Sequence, residues 1–176
     1  VDMQKSIVES CDTYYYMLAR DMGVNMMHDF MKPLGFGQIT GIDLQGESKG
    51  VLPSTEWKKN TFKKPEQQKW YEGETISLGI GQGYNAFTIL QLAHAMANLA
   101  NNGIVMKPHL VKAIEDPFTR HRTLTTPKES YRIDLVPENI EIIKTCKLKF
   151  QVMGYTLENI ATIFNVVMDY RNCMTN

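Results

Sequence analysis

The sequence predicts a helix-rich α+β domain. Segments with a helical apolar period and capping residues recur from residue 10 to residue 168, whereas β-flavoured sequence is short and centres on residues 104–114. The composition is globular, with 43% hydrophobic and 22% charged residues in 176, so one domain of ordinary size can bury a core without a disulfide scaffold.

The first helix signal is Ser10-Cys11-Asp12-Thr13, three of whose members can cap a helix, followed by Tyr14-Tyr15-Tyr16-Met17-Leu18-Ala19-Arg20 and stopped by Gly23. A second, short helix is expected from a cap at Asn25 through Met26, Met27, Phe30 and Leu34 to Gly35. Residues 37–53 are Gly-rich without helical period and predict turns, with extended pieces around Ile42 and Leu44. Residues 57–74 are polar with aromatic interruptions at Phe62, Trp70 and Tyr71, which predicts a long surface connection. The clearest element follows: Thr88 and Gln91 form a capping box, and Ile89, Leu92, Ala93, Met96, Leu99 and Ala100 share one predicted face up to the stop Asn101-Asn102-Gly103. Residues 104–114 have β character broken by Pro108, and 115–128 are turn-rich. Pro137-Glu138-Asn139 opens another helix, and a last amphipathic one is expected from a cap at Thr156 through Leu157, Ile160, Ala161, Phe164 and Met168.

Several function classes are disfavoured. Lys+Arg and Asp+Glu both number 19, and the basic pairs Lys58-Lys59 and Lys63-Lys64 are answered by Glu66, Glu72 and Glu74, so no field steers the chain to nucleic acid. No apolar run approaches the ~18–20 residues needed to cross a bilayer, and Val1-Asp2-Met3-Gln4-Lys5 does not resemble a signal peptide. The chain reads equally as a soluble protein or as a piece of a longer one. Cys11, Cys146 and Cys173 are widely spaced, and His28, His94, His109 and His121 are scattered, so neither a disulfide framework nor a metal site is expected. Met22, Met26, Met27 and Met31 read as core filler, and Tyr14 to Tyr16 as packing. Gly81-Gln82-Gly83-Tyr84-Asn85-Ala86 fits one form of the dinucleotide fingerprint, but an acidic residue at the required distance and a second βαβ unit are missing. A tight turn feeding a helix is the expected role.

A series of ordered blocks is more specific than any of these. Ser10-Cys11-Asp12-Thr13-Tyr14-Tyr15-Tyr16, Leu34-Gly35-Phe36-Gly37, Thr40-Gly41-Ile42-Asp43-Leu44 with Gly46-Glu47, Leu52-Pro53-Ser54 with Trp57-Lys58, Gly73-Glu74-Thr75-Ile76-Ser77, Gly79-Ile80-Gly81-Gln82-Gly83-Tyr84, Gln91-Leu92-Ala93, Ala97-Asn98-Leu99-Ala100-Asn101-Asn102-Gly103 and Pro108-His109-Leu110-Val111 stand in sequence. Together they resemble the transpeptidase domain of class B penicillin-binding proteins, of the elongation type, over about residues 5–144. The resemblance implies a partial penicillin-binding transpeptidase fold, related to serine β-lactamases, that lacks most of the central sheet. Residues 1–144 would form this partial domain and 145–176 a divergent helical tail.

The family uses three motifs, Ser-x-x-Lys, Ser-x-Asn or a variant, and Lys-Thr-Gly or Lys-Ser-Gly. Ser10 matches the serine of the second, and Asp12 takes its usual Asn place. The resemblance implies that the Ser10 hydroxyl passes a proton between the motif lysine and the leaving amine, while Asp12 helps fix the donor peptide and that lysine. No suitable Ser-x-x-Lys is found: Ser6, Ser10 and Ser54 are followed three residues on by Glu9, Thr13 and Trp57. Lys144-Thr145 is followed by Cys146 where Gly is required, and Gln45 and Ile89 stand where relatives often carry Pro.

The resemblance further implies a peptidoglycan D,D-transpeptidase acting on D-Ala-D-Ala stem peptides, a β-lactam target in the complete enzyme. It would work at the periplasmic face of the bacterial inner membrane beside elongation-complex proteins, without metal or organic cofactor. The chain alone is expected to be inactive. The alternative is a non-catalytic remnant that serves as a protein-interaction module.

Overall fold

A computed structural model describes residues 1–152; the helix expected from Thr156 and most of the tail lie outside the described residues. Eight helices are described: α1 (Met3–Val8), α2 (Asp12–Met22), α3 (Val24–Met31), α4 (Thr55–Thr61), α5 (Pro65–Gln68), α6 (Glu72–Gly79), α7 (Ile89–Ala100) and α8 (Pro137–Val152). Among the described residues the strands form two antiparallel pairs, β1 (Ile104–Met106) with β4 (Glu129–Arg132), and β2 (Ala113–Glu115) with β3 (Arg122–Leu124). The architecture is the helix-rich α+β arrangement expected, with little sheet.

The core is built from the helices. Ile7 of α1, Tyr15, Ala19 and Met22 of α2, and Val24, Met27, Phe30 and Met31 of α3 are buried together with Leu34, Phe36, Leu52, Leu78, Ala95, Leu99 and Ile143. Burial of Met22, Met27 and Met31 agrees with their reading as core filler, while Met26 is exposed. Helix α2 packs along α6, and α1 against α8. The two helices approach closely at Gly79, where a Cβ would stand 2.6 Å from both Ala19 Cβ and the Tyr15 carbonyl oxygen.

Several expectations are corrected. Asn25 does not cap α3, whose N-cap is Gly23; its Oδ1 instead accepts from Thr55 N–H (3.1 Å) and the Thr55 hydroxyl (3.0 Å), tying α3 to α4. The segment read as a surface connection holds α4 and α5 and contains Lys58, only 2% exposed. Its ammonium donates to the Lys69 carbonyl (2.8 Å) and to Glu74 Oε1, and lies 5.3–5.5 Å from the ring centres of Trp70, Tyr71 and Tyr84. A buried ammonium is tolerable only with such partners.

Residues 37–53 form turns as expected, but around Ile42 and Leu44 no strand forms; a single bridge pairs Val51 with Ala86. The capping box of α7 is present, Thr88 Oγ1 accepting from Gln91 N–H (3.1 Å) and Gln91 Oε1 from Thr88 N–H (3.0 Å). The buried face of α7 is rotated from the one expected. Of the expected residues Leu99 is buried and Leu92 and Met96 pack against the core, but Ile89 is 85% exposed and Ala93 and Ala100 are exposed, while Gln91, Ala95 and Asn98 are buried in addition. Two of these are polar because Gln91 Nε2 donates to the Gln38 (2.6 Å) and Lys49 (2.9 Å) carbonyls, holding the 37–53 turns on the helix, while Asn98 Nδ2 reaches the Leu34 carbonyl (3.4 Å). Helix α8 starts at Pro137 as expected and continues past residues 144 and 145 to Val152.

Candidate active site at the turn between the first two helices

Helix α1 begins at an Asp2 cap, whose Oδ1 accepts from Lys5 N–H at 2.8 Å. After Glu9 the chain must reverse, and Ser10 does this with a left-handed backbone, φ +51°. Few non-glycine residues adopt that conformation. Ser10 N–H donates to the Ile7 carbonyl (3.3 Å) and Cys11 N–H to the Ser6 carbonyl (2.9 Å), closing the end of α1. Cys11 takes the N-cap position of α2 without a side-chain cap bond, and Asp12 lies in the first helical turn. A carboxylate there is favoured by the helix dipole.

The structure therefore corrects one role expected for Ser10. It does not cap α2; it is the reversal itself. Ser10 is partly exposed and Asp12 exposed, so both stand at the surface of the same turn. The sequence marks Ser6, four residues earlier, only as a serine without a Ser-x-x-Lys lysine; it is wholly buried and its Oγ lies 2.9 Å from the Tyr15 hydroxyl. The triple tyrosine read as packing fulfils that role at Tyr15, whose ring stacks edge-on against Tyr14 at 5.2 Å, but it also carries this polar contact.

Carboxylates elsewhere do structural work. Burial alone would raise the Glu74 carboxyl, but the Lys58 ammonium, the Tyr71 N–H (2.9 Å) and the Tyr84 hydroxyl (3.1 Å) outweigh it and hold it below the usual carboxylate value. The Leu110 and Val111 N–H groups, at 2.7 and 3.0 Å, hold the Asp43 carboxyl low and pin the approach to β2. Glu47 likewise accepts from Thr40 and Gly41 N–H, which together outweigh the opposing effect of burial and lower its carboxyl. His28, His94 and His109 each bond a backbone carbonyl, of Pro53, Met106 and Val111 respectively. Among the described residues no group of three or more His, Cys, Asp or Glu side chains is placed to hold a metal ion. The glycine run at 81–83 follows helix α6, with Gly81 at φ +76°, and feeds α7. A dinucleotide fingerprint would need a strand before it.

The turn thus presents a hydroxyl and, two residues on, a carboxylate. Acyl transfer needs in addition an activated nucleophile and oxyanion donors. Residues 1–153 match the family model for the penicillin binding protein transpeptidase domain. The chain belongs to this family. The chain is 50% identical over 121 residues to the peptidoglycan D,D-transpeptidase MrdA of Acinetobacter baumannii, a match that covers 68% of this chain and 17% of that protein. It is 45% identical over 111 residues to MrdA of Escherichia coli K12, covering 63% and 17% respectively. The chain spans about a sixth of the length of these curated relatives.

Among solved structures the chain is similar to one in a peptidoglycan synthase complex that coordinates polymerization and crosslinking, with a TM-score of 0.68 and 28% identity over 85% of this chain and 24% of that one. It is also similar to penicillin-binding protein 2 of Helicobacter pylori in complex with MreC, with a TM-score of 0.56 and 30% identity over 62% and 20%. These neighbours agree with the sequence resemblance to the penicillin-binding protein 2 branch and with a partial fold of that domain.

Proposed function

We propose that this chain forms part of a peptidoglycan D,D-transpeptidase that cross-links stem peptides through a serine acyl-enzyme in cell-wall elongation, and that Ser10-Cys11-Asp12 is its second active-site motif. The observation that supports this most is the turn itself: a partly exposed serine held at φ +51° in the reversal between α1 and α2, two residues before an exposed carboxylate. Strained non-glycine backbone persists where the surroundings over-determine it, and it clusters at functional sites.

In the complete enzyme the attacking serine and its lysine, from a Ser-x-x-Lys motif, meet the Ser10 hydroxyl. The serine adds to the penultimate D-Ala carbonyl of a D-Ala-D-Ala donor, and the Ser10 hydroxyl relays a proton to the leaving amine of D-Ala. An amine of a neighbouring stem peptide then resolves the ester. Asp12 orients the donor peptide and the lysine. A Lys-Thr-Gly strand would complete the centre, and neither of these two motifs is present in the 176 residues. β-Lactams would acylate the same nucleophile.

The proposed place of work is the periplasmic face of the inner membrane. Among the described residues no helix is long and apolar enough to cross a membrane. Elongation-complex proteins are the proposed partners, supported by the Helicobacter pylori relative bound to MreC. A second reading, a non-catalytic interaction module, is favoured by the exposed side chains of Ile114, Leu124 and Phe118, the last 93% exposed, around the β2–β3 hairpin.

A graft tests the first reading against the second. The corresponding segment of the Acinetobacter baumannii MrdA is replaced by residues of this chain that include 10–12, and the folded carrier is labelled with fluorescent penicillin. Labelling is expected, and Ser10→Ala should slow it at least about 100-fold. A folded graft that labels as fast with alanine at position 10 contradicts the catalytic assignment, and one that does not label at all favours the interaction module.

A further inference from the structure

The reversal at Ser10 is bracketed by a second, buried connection between the same two helices. Ser6 Oγ lies 2.7 Å from the Met3 carbonyl and 2.9 Å from the Tyr15 hydroxyl. A serine hydroxyl has one proton, and a carbonyl can only accept. Ser6 therefore donates to Met3, and the Tyr15 hydroxyl donates to Ser6. The Ser6 carbonyl also accepts from Cys11 N–H at 2.9 Å. One residue of α1 thus holds the motif turn through its backbone and the first turns of α2 through its side chain.

Both partners are fully buried, at 0% exposure. Burial alone does not call for this pair of hydroxyls, because alanine and phenylalanine would fill the same places, and replacing both partners of a hydrogen bond by apolar groups of similar shape can be nearly neutral for stability. What the hydroxyl pair adds is direction. It joins α1 to α2 on either side of the turn from which the Ser10 side chain and the Asp12 carboxylate leave. The unfavourable backbone of Ser10 needs this kind of external restraint.

We propose that Ser6 and Tyr15 are positioning residues of the transpeptidase site, whose mutual hydrogen bond sets the aim of Ser10 and Asp12. This rests on the reading of Ser10 as the proton relay. Proton transfer is sensitive to donor–acceptor geometry, and small displacements remote from the reacting atoms lower rates steeply.

The test uses the full-length carrier enzyme. Acylation by fluorescent penicillin is followed over a concentration series, which separates the limiting rate constant, the half-saturating concentration and the fraction of protein labelled. Tyr15→Phe keeps the ring in the core and leaves Ser6 its bond to Met3. It is expected to lower the limiting rate constant about ten-fold, with half-saturation and labelled fraction unchanged. Ser6→Ala should act in the same sense, and the double variant should be no slower than the slower single one, since each removes the shared Tyr15–Ser6 bond and Ser6→Ala removes the bond to Met3 besides. A purely structural role predicts a smaller labelled fraction at the parental rate constant, and that result overturns the proposal. So does a double variant whose losses multiply. Ser10→Ala is run beside them: if it leaves the rate unchanged the relay reading itself fails, whereas a slow Ser10→Ala with a fast Tyr15→Phe refutes only the positioning role. Should Tyr15→Phe not fold, Ser6→Ala gives the same readout.

Discussion

Replacing Gly79 with alanine pits two effects of opposite sign against each other. Gly79 is the last residue of α6 and has no positive φ, so alanine is conformationally acceptable there and should gain about 0.5–1 kcal/mol from reduced backbone freedom. Its methyl, however, would stand 2.6 Å from Ala19 Cβ and 2.6 Å from the Tyr15 carbonyl oxygen, well inside contact distance. Both atoms belong to α2, one of them to its backbone, so no flexible side-chain end can yield. The helices must separate, and overpacking of this kind costs about 1–3 kcal/mol. Overpacking outweighs the gain across nearly the whole of these ranges, leaving a net loss of up to about 2.5 kcal/mol, centred on about 1, with Tm falling about 2–4 °C per kcal/mol for a chain of this size. Gly73→Ala is the matched control, in the same helix with nothing within 4 Å of the added methyl, and it should raise Tm slightly. Thermal and urea unfolding of the 176-residue chain, followed by circular dichroism, gives both values. If Gly79→Ala proves as stable as Gly73→Ala, the close α2–α6 approach is not a feature of the folded chain and the site geometry built on α2 loses its support.

Other expectations follow from the same contacts. Lys58→Met should cost about 2 kcal/mol in urea unfolding, less than for fully enclosed pairs because Glu74 keeps the Tyr71 N–H and the Tyr84 hydroxyl. Since the folded Glu74 carboxyl is held below its ordinary value, the unfolded chain takes up a proton first as the pH falls. Its contribution is then full above the ordinary carboxylate value near about 4.3 and is lost as pH drops through the lowered folded value, so Glu74→Gln should flatten the acid limb of stability measured from about pH 6 to 3. Asp43→Ala should speed hydrogen exchange at the Leu110 and Val111 amides, with little change in Tm, because the contact is at the surface. The isolated chain, incubated with fluorescent penicillin and examined by mass spectrometry, should carry no adduct, because it has no Ser-x-x-Lys.

Features fixed by neighbouring residues were legible in the sequence. The Thr88–Gln91 capping box, the stop at Gly23 and the start of α8 at Pro137 all depend on groups within a few positions of each other. Features fixed across the chain were not. Strand β4 is exposed throughout and exists because it pairs with β1, some 25 residues earlier. The burial of Lys58 depends on Glu74, sixteen residues later, so the segment read as polar surface. On α7 the apolar period predicts the packing of Leu92, Met96 and Leu99 but not the burial of Gln91 and Asn98, which turn inward to the carbonyls of Gln38, Lys49 and Leu34. At the candidate site, residue types made Ser10 look like a helix cap, but α1 was not foreseen, and its presence makes Ser10 the point of reversal. Ser10 and Asp12 are candidates by resemblance. Ser6, by contrast, shows its relevance only through its distance to Tyr15.

The central claim is that Ser10 belongs to the reaction centre of a penicillin-binding transpeptidase, and a crystal structure of the carrier enzyme acylated by penicillin tests it most directly. The account predicts the Ser10 hydroxyl within hydrogen-bond reach, about 2.6–3.2 Å, of the motif lysine or the acylated serine, with the Ser10 backbone still left-handed. A Ser10 side chain directed away from the acyl group, beyond the reach of even one bridging water, would contradict it.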